Sequence, residues 1–211
     1  MSPRTNSRAF TLIEVLIVLA VILAAALVLL PGLAKARIRG GPTCYSNLRQ
    51  IGLAFSMWEN DHRGLYPMEV SIANGGANEA ASTNLVFVFQ VMSNELNTPK
   101  ILACPGETKR ISATNFFRLA SVNISYFVGL DAVRTNPASI LSGDRSITNG
   151  LGVRTGVLRV TATDPSGWPS TPHRGCGNIL FADGSVRYLS TPQLREAITN
   201  TGFPTNRLLM P

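Results

Sequence analysis

Three cysteines carry the most reactive side chains of the 211-residue chain: Cys44, Cys104 and Cys176. A thiolate can ligate a metal, act as a nucleophile or pair in a disulfide. The absence of a C-x-x-C spacing argues against a structural zinc site. In an oxidising compartment one pair can form and leave one thiol over, and Cys44 with Cys104 is the preferred pair because both are predicted to flank the same core. The alternative is three unpaired, small apolar residues.

His173 lies three residues before Cys176, and ten before Asp183 and its neighbour Gly184. A Cys–His pair can be a nucleophile and its base, but Gly175 intervenes and the sequence shows no third group to orient the histidine. We therefore expect neither an enzyme nor a bound cofactor. The structural interpretation has His173 hydrogen-bonding near a hairpin, to Asp183. The functional one is a subunit contact or a cation site that includes Asp183.

Glu14 is the single charge in an apolar run over residues 9–30. A helix over residues 10–30 is long enough, at about 1.5 Å of rise per residue, for the roughly 30 Å core of a bilayer. A carboxylate within it costs up to about 2.5–3.5 kcal/mol at mid-membrane, less near the end, and usually has a partner. The sequence therefore predicts a membrane-spanning helix, with Glu14 either paired or at the headgroup level.

The formal net charge of +7 is concentrated at the two ends of the chain. Residues 43–131 carry six Lys or Arg against seven acids, whereas residues 132–211 carry eight Arg against four acids. A basic C-terminal half can face a polyanion. The arginines stand singly, however, which favours a solvated surface over a nucleic-acid interface.

Beyond the membrane helix, the chain is predicted to break at the Gly-Gly-Pro of residues 40–42 and to form an amphipathic helix from about Thr43. Its apolar face comprises Cys44, Leu48, Ile51, Phe55 and Trp58, and the residues turned away are Asn47, Arg49, Gln50 and Glu59. The later segments are predicted as follows: helix 84–96, strands 101–104, 124–130, 139–142 and 155–161, a hairpin over 178–189, a helix beginning at Thr191 and an apolar tail at 206–210 that docks on the domain. The hairpin is expected to turn at Asp183 and Gly184 with both residues at positive φ. These elements predict an α+β domain with an antiparallel sheet.

The N-terminal residues resemble the processing signal of type IV prepilins and type II secretion pseudopilins. A basic leader ends in the small Ala9, and Phe10 opens the sequence FTLIE, which ends at Glu14. The resemblance implies cleavage before Phe10 and methylation of the new amino terminus by a prepilin peptidase, with Glu14 as the fifth mature residue and an assembly carboxylate. The family's usual residue before the cut is Gly, so Ala9 is a departure.

Two further motifs carry this resemblance. Residues 44–52 read C-x-x-N-L-R-Q-I-G, and nine residues separate His173 from the Asp183-Gly184 pair, which is similar to a processing-associated motif of a large prepilin-like subfamily. The implied fold is pilin-like, with a long N-terminal helix packed on an antiparallel sheet domain. The predicted divisions are a leader (1–9), a transmembrane and assembly helix (10–30), a basic linker (31–42) and a globular domain (43–211).

The resemblance implies a structural subunit of a pseudopilus or type IV pilus-like fibre that supports type II-like secretion. Its implied partners are prepilin peptidase, copies of itself, other pilin-like subunits and the inner membrane, which it crosses once with the globular domain on the periplasmic side or in an extracellular fibre. The alternative is a single-pass anchored module that never polymerises and binds DNA or another polyanion through its basic C-terminal half.

Overall fold

A computed structural model describes residues 12–36, 42–151, 156–170 and 175–211, with the side chains of 26–36 and 42 left out of the description. Two compact units are present, Met1–Arg39 and Gly40–Pro211. The predicted break at residues 40–42 falls mostly outside the described residues. The predicted boundaries of leader, membrane helix and linker stay predictions.

The first unit contains helix α1, Leu12–Ala36. Every side chain described in it, from residue 12 to residue 25, is exposed, including Leu12 at 82% and Leu23 at 62%. Within the described residues, no helix meets the length and apolarity needed to cross a membrane. The single membrane pass thus stays a prediction.

The second unit begins with helix α2, Pro42–Asp61, whose predicted apolar face is confirmed. Its five residues are at most 2% exposed: Cys44, Leu48, Ile51, Phe55 and Trp58. The prediction for the opposite face was wrong at two positions. Glu59 is only 3% exposed, since it lies one turn after Phe55 and faces Arg134, and Asn47 is half-buried because its amide donates to the Ala103 carbonyl at 3.1 Å.

Two short helices, α3 at Leu85–Val91 and α4 at Ser93–Leu96, confirm the helical prediction for residues 84–96. The Asn84 side chain caps α3 by accepting from Phe87 N. The strand predicted at 101–104 is wrong, because a 3₁₀ helix occupies Pro99–Leu102. Thr98 caps it by accepting from Lys100 N, and Pro99 supplies the fixed φ that suits a first helical turn. Other 3₁₀ turns occupy Ile72–Asn74, Phe116–Arg118 and Ser121–Asn123.

A six-stranded sheet with the order β3-β6-β1-β2-β4-β5 forms the centre of this unit. Its strands are β1 Tyr126–Gly129, β2 Ile140–Asp144, β3 Gly156–Val160, β4 Cys176–Phe181, β5 Val186–Ser190 and β6 Asn206–Met210. All five pairings are antiparallel, as predicted. The C-terminal segment does more than dock: β6 lies between β3 and β1 and pairs with both.

The hairpin of β4 and β5 is confirmed, but its predicted turn is wrong in detail. Gly184 has φ of 78°, whereas Asp183 is not among the residues with positive φ. Phe181 N donates to Ser185 O at 2.9 Å, and Gly184 N donates to Phe181 O at 3.0 Å. Three residues therefore form the loop, with only the glycine left-handed, as in a type I turn followed by a G1 bulge.

The sheet separates two apolar cores. Helices α2, α3 and α4 pack over one face of the sheet, and the core between them includes Phe55, Phe89 and Tyr126. Helix α5, Thr191–Asn200, covers the other face through Leu194 and Ile198. Gly202, at φ of 70°, follows α5 and turns the chain toward β6.

Candidate functional site

The predicted N-terminal site is described only in part. Ala9 and Phe10 lie outside the described residues. Glu14 lies in the first turn of α1, and its side chain is exposed like those of its apolar neighbours. A carboxylate near a helix N-terminus interacts favourably with the helix dipole. The exposed, nearly all-apolar surface of residues 12–25 thus carries a single acidic group.

Cys44 and Cys104 form a disulfide with their Cα atoms 5.1 Å apart. This is the pair preferred from the sequence, and both residues border the core beneath α2. The bridge ties the first turn of α2 to the loop in which Glu107 N donates to Cys104 O at 3.0 Å. Cys176 at the start of β4 is a free, partly exposed thiol.

The hairpin motif is split by the limits of the description. His173 lies outside the described residues, so its predicted hydrogen bond to Asp183 stays a prediction. The Asp183 carboxylate accepts from Ser185 N at 2.8 Å and so closes the turn. Gly184 faces open space, and its positive φ is what requires glycine there.

A cavity of about 230 Å³ lies between this hairpin and the C-terminal half of α2. Its walls include Glu59, Tyr66, Arg134, Asp183 and Gly184. The close approach of α2 to the sheet depends on Gly52, where an added Cβ would meet the Leu180 side chain at 2.8 Å. Helix α2 therefore brings Glu59 to the same cavity as the hairpin turn.

Charges in this cavity are largely paired. Glu59 is buried and forms an ion pair with Arg134, whose side chain is 53% exposed. The Tyr66 hydroxyl donates to Ala182 O at 3.3 Å, and Tyr66 N donates to Glu69 at 2.8 Å. Burial, helped by the charges of Glu69 and Asp183, raises the pKa of Tyr66 to about 12. The phenol is therefore neutral at physiological pH and acts as a hydrogen-bond donor.

The described side chains of this cavity form hydrogen bonds and an ion pair with each other and with the backbone. Among the described residues, no group of three or more His, Cys, Asp or Glu side chains is placed to hold a metal ion. The described part of the fold therefore does not supply the further metal ligands that a cation site including Asp183 would need. His173 lies outside the described residues, so its distance from Cys176 is not described.

Sequence reasoning missed Glu59 and Arg134 as members of this site. Glu59 follows Phe55 by four residues, a spacing that places it at the edge of the buried stripe, and this signal was present in the sequence. Arg134 carries no such signal. It lies in the connection between β1 and β2, and only the fold brings it beside α2.

Comparison with known proteins locates one match. The family model for the prokaryotic N-terminal methylation motif matches residues 4–30 of the chain. No curated protein and no solved structure matches the chain. The chain therefore carries a prepilin-type N-terminal methylation signal.

Proposed function

We propose that the chain is a structural subunit of a fibre, because the methylation motif of residues 4–30 indicates a type IV pilin-like or pseudopilin precursor. Prepilin peptidase removes residues 1–9 and methylates Phe10. The mature chain then assembles with copies of itself and other pilin-like subunits into a pseudopilus or type IV pilus-like fibre. That fibre supports type II-like protein secretion.

The exposed surface of α1 carries this proposal. Its side chains over residues 12–25 are all exposed, and all of them except that of Glu14 are hydrocarbon. A helix that is apolar all round is normally buried in a core or in a membrane. The cost of leaving this surface in water, at roughly 25 cal/mol per Å² of apolar area, favours insertion in a bilayer and later packing against other subunits.

We propose that the second unit lies outside the inner membrane, in the compartment that the family signal suggests. The disulfide between Cys44 and Cys104 supports this placement, since disulfides persist in oxidising compartments such as the periplasm. The single-pass topology is part of the proposal.

The arginines of the C-terminal half favour the fibre subunit over a polyanion-binding module. Of the six that the structure describes, five have local partners: Arg134 with Glu59, Arg145 with Glu107, Arg187 with the Phe181 ring, Arg195 with Ser166 O and Arg207 with Asp131. Nucleic-acid binding relies on cations free to neutralise phosphates. A paired arginine adds less net charge, so these separate pairs do not supply the run of free cations that a long polyanion requires.

The experiment is a Glu14→Ala substitution, followed by the amount of chain in a fraction sheared from the cells. We expect a loss of at least about tenfold, because an assembly contact to a charged group is worth about 1.5–3 kcal/mol. Glu196→Ala, which removes an equal charge from an exposed position of α5 in the second unit, is the matched control. Equal recovery of the Glu14→Ala and wild-type chains in that fraction, at equal amounts in the membrane, would rule out assembly through Glu14.

The mature amino terminus tests processing separately. Mass spectrometry of the purified chain should find N-methylated Phe10 as its first residue. Replacing Ala9 by Gly, the family's usual residue, should raise the processed fraction. A mature chain that begins elsewhere would contradict the prepilin proposal even if the protein is found in fibres.

A further inference from the structure

A second cavity, of about 520 Å³, is lined by cationic side chains. Lys109, Arg110 and Arg145 contribute its charges, and Ser121, Val122 and Met210 contribute to its polar and apolar walls. No Asp or Glu side chain is among its described lining residues. All its described lining residues belong to the second unit, and none belongs to the turn of the β4–β5 hairpin.

One buried carboxylate, that of Glu107, contacts the guanidinium groups of both Arg110 and Arg145. Glu107 is 8% exposed, and its Oε2 lies 2.8 Å from Arg145 Nε and 3.6 Å from Arg110 Nε. Arg110 also donates to the Ser121 carbonyl. Since Glu107 lines a different cavity, its charge anchors the arginines without occupying the space in front of them.

The backbone fixes this arrangement further. Arg145 follows the last residue of β2, and its N–H donates to Ser125 O at 3.0 Å. Glu107 lies in the turn that begins at Cys104, the disulfide partner of Cys44, and Arg110 N donates to Glu107 O at 3.0 Å. The cationic groups therefore come from a strand end and a loop tied to α2.

The charges do not balance. Lys109, Arg110 and Arg145 carry three positive charges, and Glu107 carries one negative charge, which leaves an excess of two. Burial and the nearby Arg145 lower the pKa of Arg110, with Glu107 acting in the opposite direction. Three cationic groups thus share one carboxylate, and an anion bound in the cavity would offset the remaining positive charge.

We infer that this cavity binds a tetrahedral oxyanion, phosphate or sulfate, either free or as the acidic group of a small ester. Guanidinium groups suit such oxyanions because their N–H donors form parallel, charge-assisted hydrogen bonds. Lys109 adds a point charge at the exposed side of the cavity, where an arriving anion meets it first. The site serves ligand recognition on the displayed domain, beyond the fibre role, and does not depend on it.

The test is a titration of the full chain, in an uncharged detergent, with inorganic phosphate by isothermal calorimetry. Chloride keeps the ionic strength constant, so that general screening does not change during the titration. Saturable binding is expected for the wild type. Lys109→Gln should weaken it about tenfold, and Arg49→Gln, which removes an equal charge from the exposed face of α2, should leave it unchanged.

A second variant guards against misfolding. Arg145→Lys keeps the charge beside Glu107 but loses the planar fork, so it should fold and bind phosphate more weakly than the wild type. A thermal melt of each variant checks the fold. Absence of saturable binding to the wild type, or equal weakening by Lys109→Gln and Arg49→Gln, would overturn the inference. Titration with phenyl phosphate then distinguishes an ester, which binds more tightly through the apolar wall, from a free ion.

Discussion

Helices α1 and α2 are both rich in apolar residues, but they present them differently. In α1 all described side chains, from residue 12 to residue 25, are exposed. In α2 a single stripe is buried under the sheet and the remaining face carries mostly polar residues, with Leu53 and Met57 exposed. An apolar stripe is buried by other residues of the same domain, whereas a helix that is apolar all round is normally buried in a larger core or in a membrane.

Their glutamates repeat this contrast. Glu59 of α2 is buried and has its counter-charge, Arg134, within the same domain. Glu14 of α1 is exposed on a helix that belongs to a separate compact unit. The comparison teaches that a glutamate on an amphipathic helix can be buried within its own domain, whereas one on a helix that is apolar all round stays exposed in its own compact unit.

The strongest test of this comparison applies one substitution to both helices. Leu48→Ala, at a side chain with 0% exposure, should lower the free energy of unfolding by about 2–5 kcal/mol through lost burial and a residual cavity. Leu16→Ala, at 56% exposure, should change the unfolding of the domain by no more than about 0.5 kcal/mol. Denaturant titrations of the full chain in an uncharged detergent measure both. Similar losses for the two variants would break the distinction between the helices.

Arg134→Gln should have the next largest effect. It leaves the buried Glu59 carboxylate without its counter-charge, and because Arg134 is half-exposed we expect a loss of about 1–2 kcal/mol rather than the larger cost of a fully buried pair. Combining it with Glu59→Gln should recover part of that loss. A double variant less stable than Arg134→Gln alone would show that Glu59 stabilises the domain through other contacts.

The smallest effect concerns the pH dependence of stability, which Tyr66→Phe should change at alkaline pH. The folded-state pKa of Tyr66 is raised to about 12, so its contribution to stability is fully present below the unfolded pKa of about 10 and is lost as pH rises through the folded value. At about pH 11 the wild type should have lost about 1 kcal/mol that the variant retains. Tyr45→Phe, at a partly exposed position of α2, is the control. Parallel pH profiles for wild type and Tyr66→Phe would contradict this assignment.

Local patterns were sufficient where the determining contacts are close in sequence. The buried stripe of α2 follows helical periodicity, and the β4–β5 hairpin follows from alternation around Asp183 and Gly184. The helix at 84–96 was also predicted, although its division at Met92 was not. For residues 101–104, the Thr98–Pro99 helix start was a stronger signal than the short apolar run that suggested a strand.

Long-range pairing explains the remaining differences. The apolar residues of Asn206–Met210 suit a docking tail as well as a strand. Only the hydrogen bonds to β1 and β3 make this segment an inner strand. The triad of Glu107, Arg110 and Arg145 joins a loop to a strand end 38 residues away from Glu107. No local pattern in the sequence predicts such a contact, because side chains distant in sequence meet only after the sheet has formed.

By itself, the sequence determined the prepilin-type signal, the apolar character of α1 and the amphipathic face of α2, because each depends on residue types at short, regular spacing. The tertiary structure alone decided the strand order, the burial of Glu59 against Arg134 and the excess positive charge around Lys109. These features depend on which elements become neighbours, and that is set by packing both faces of one sheet at once.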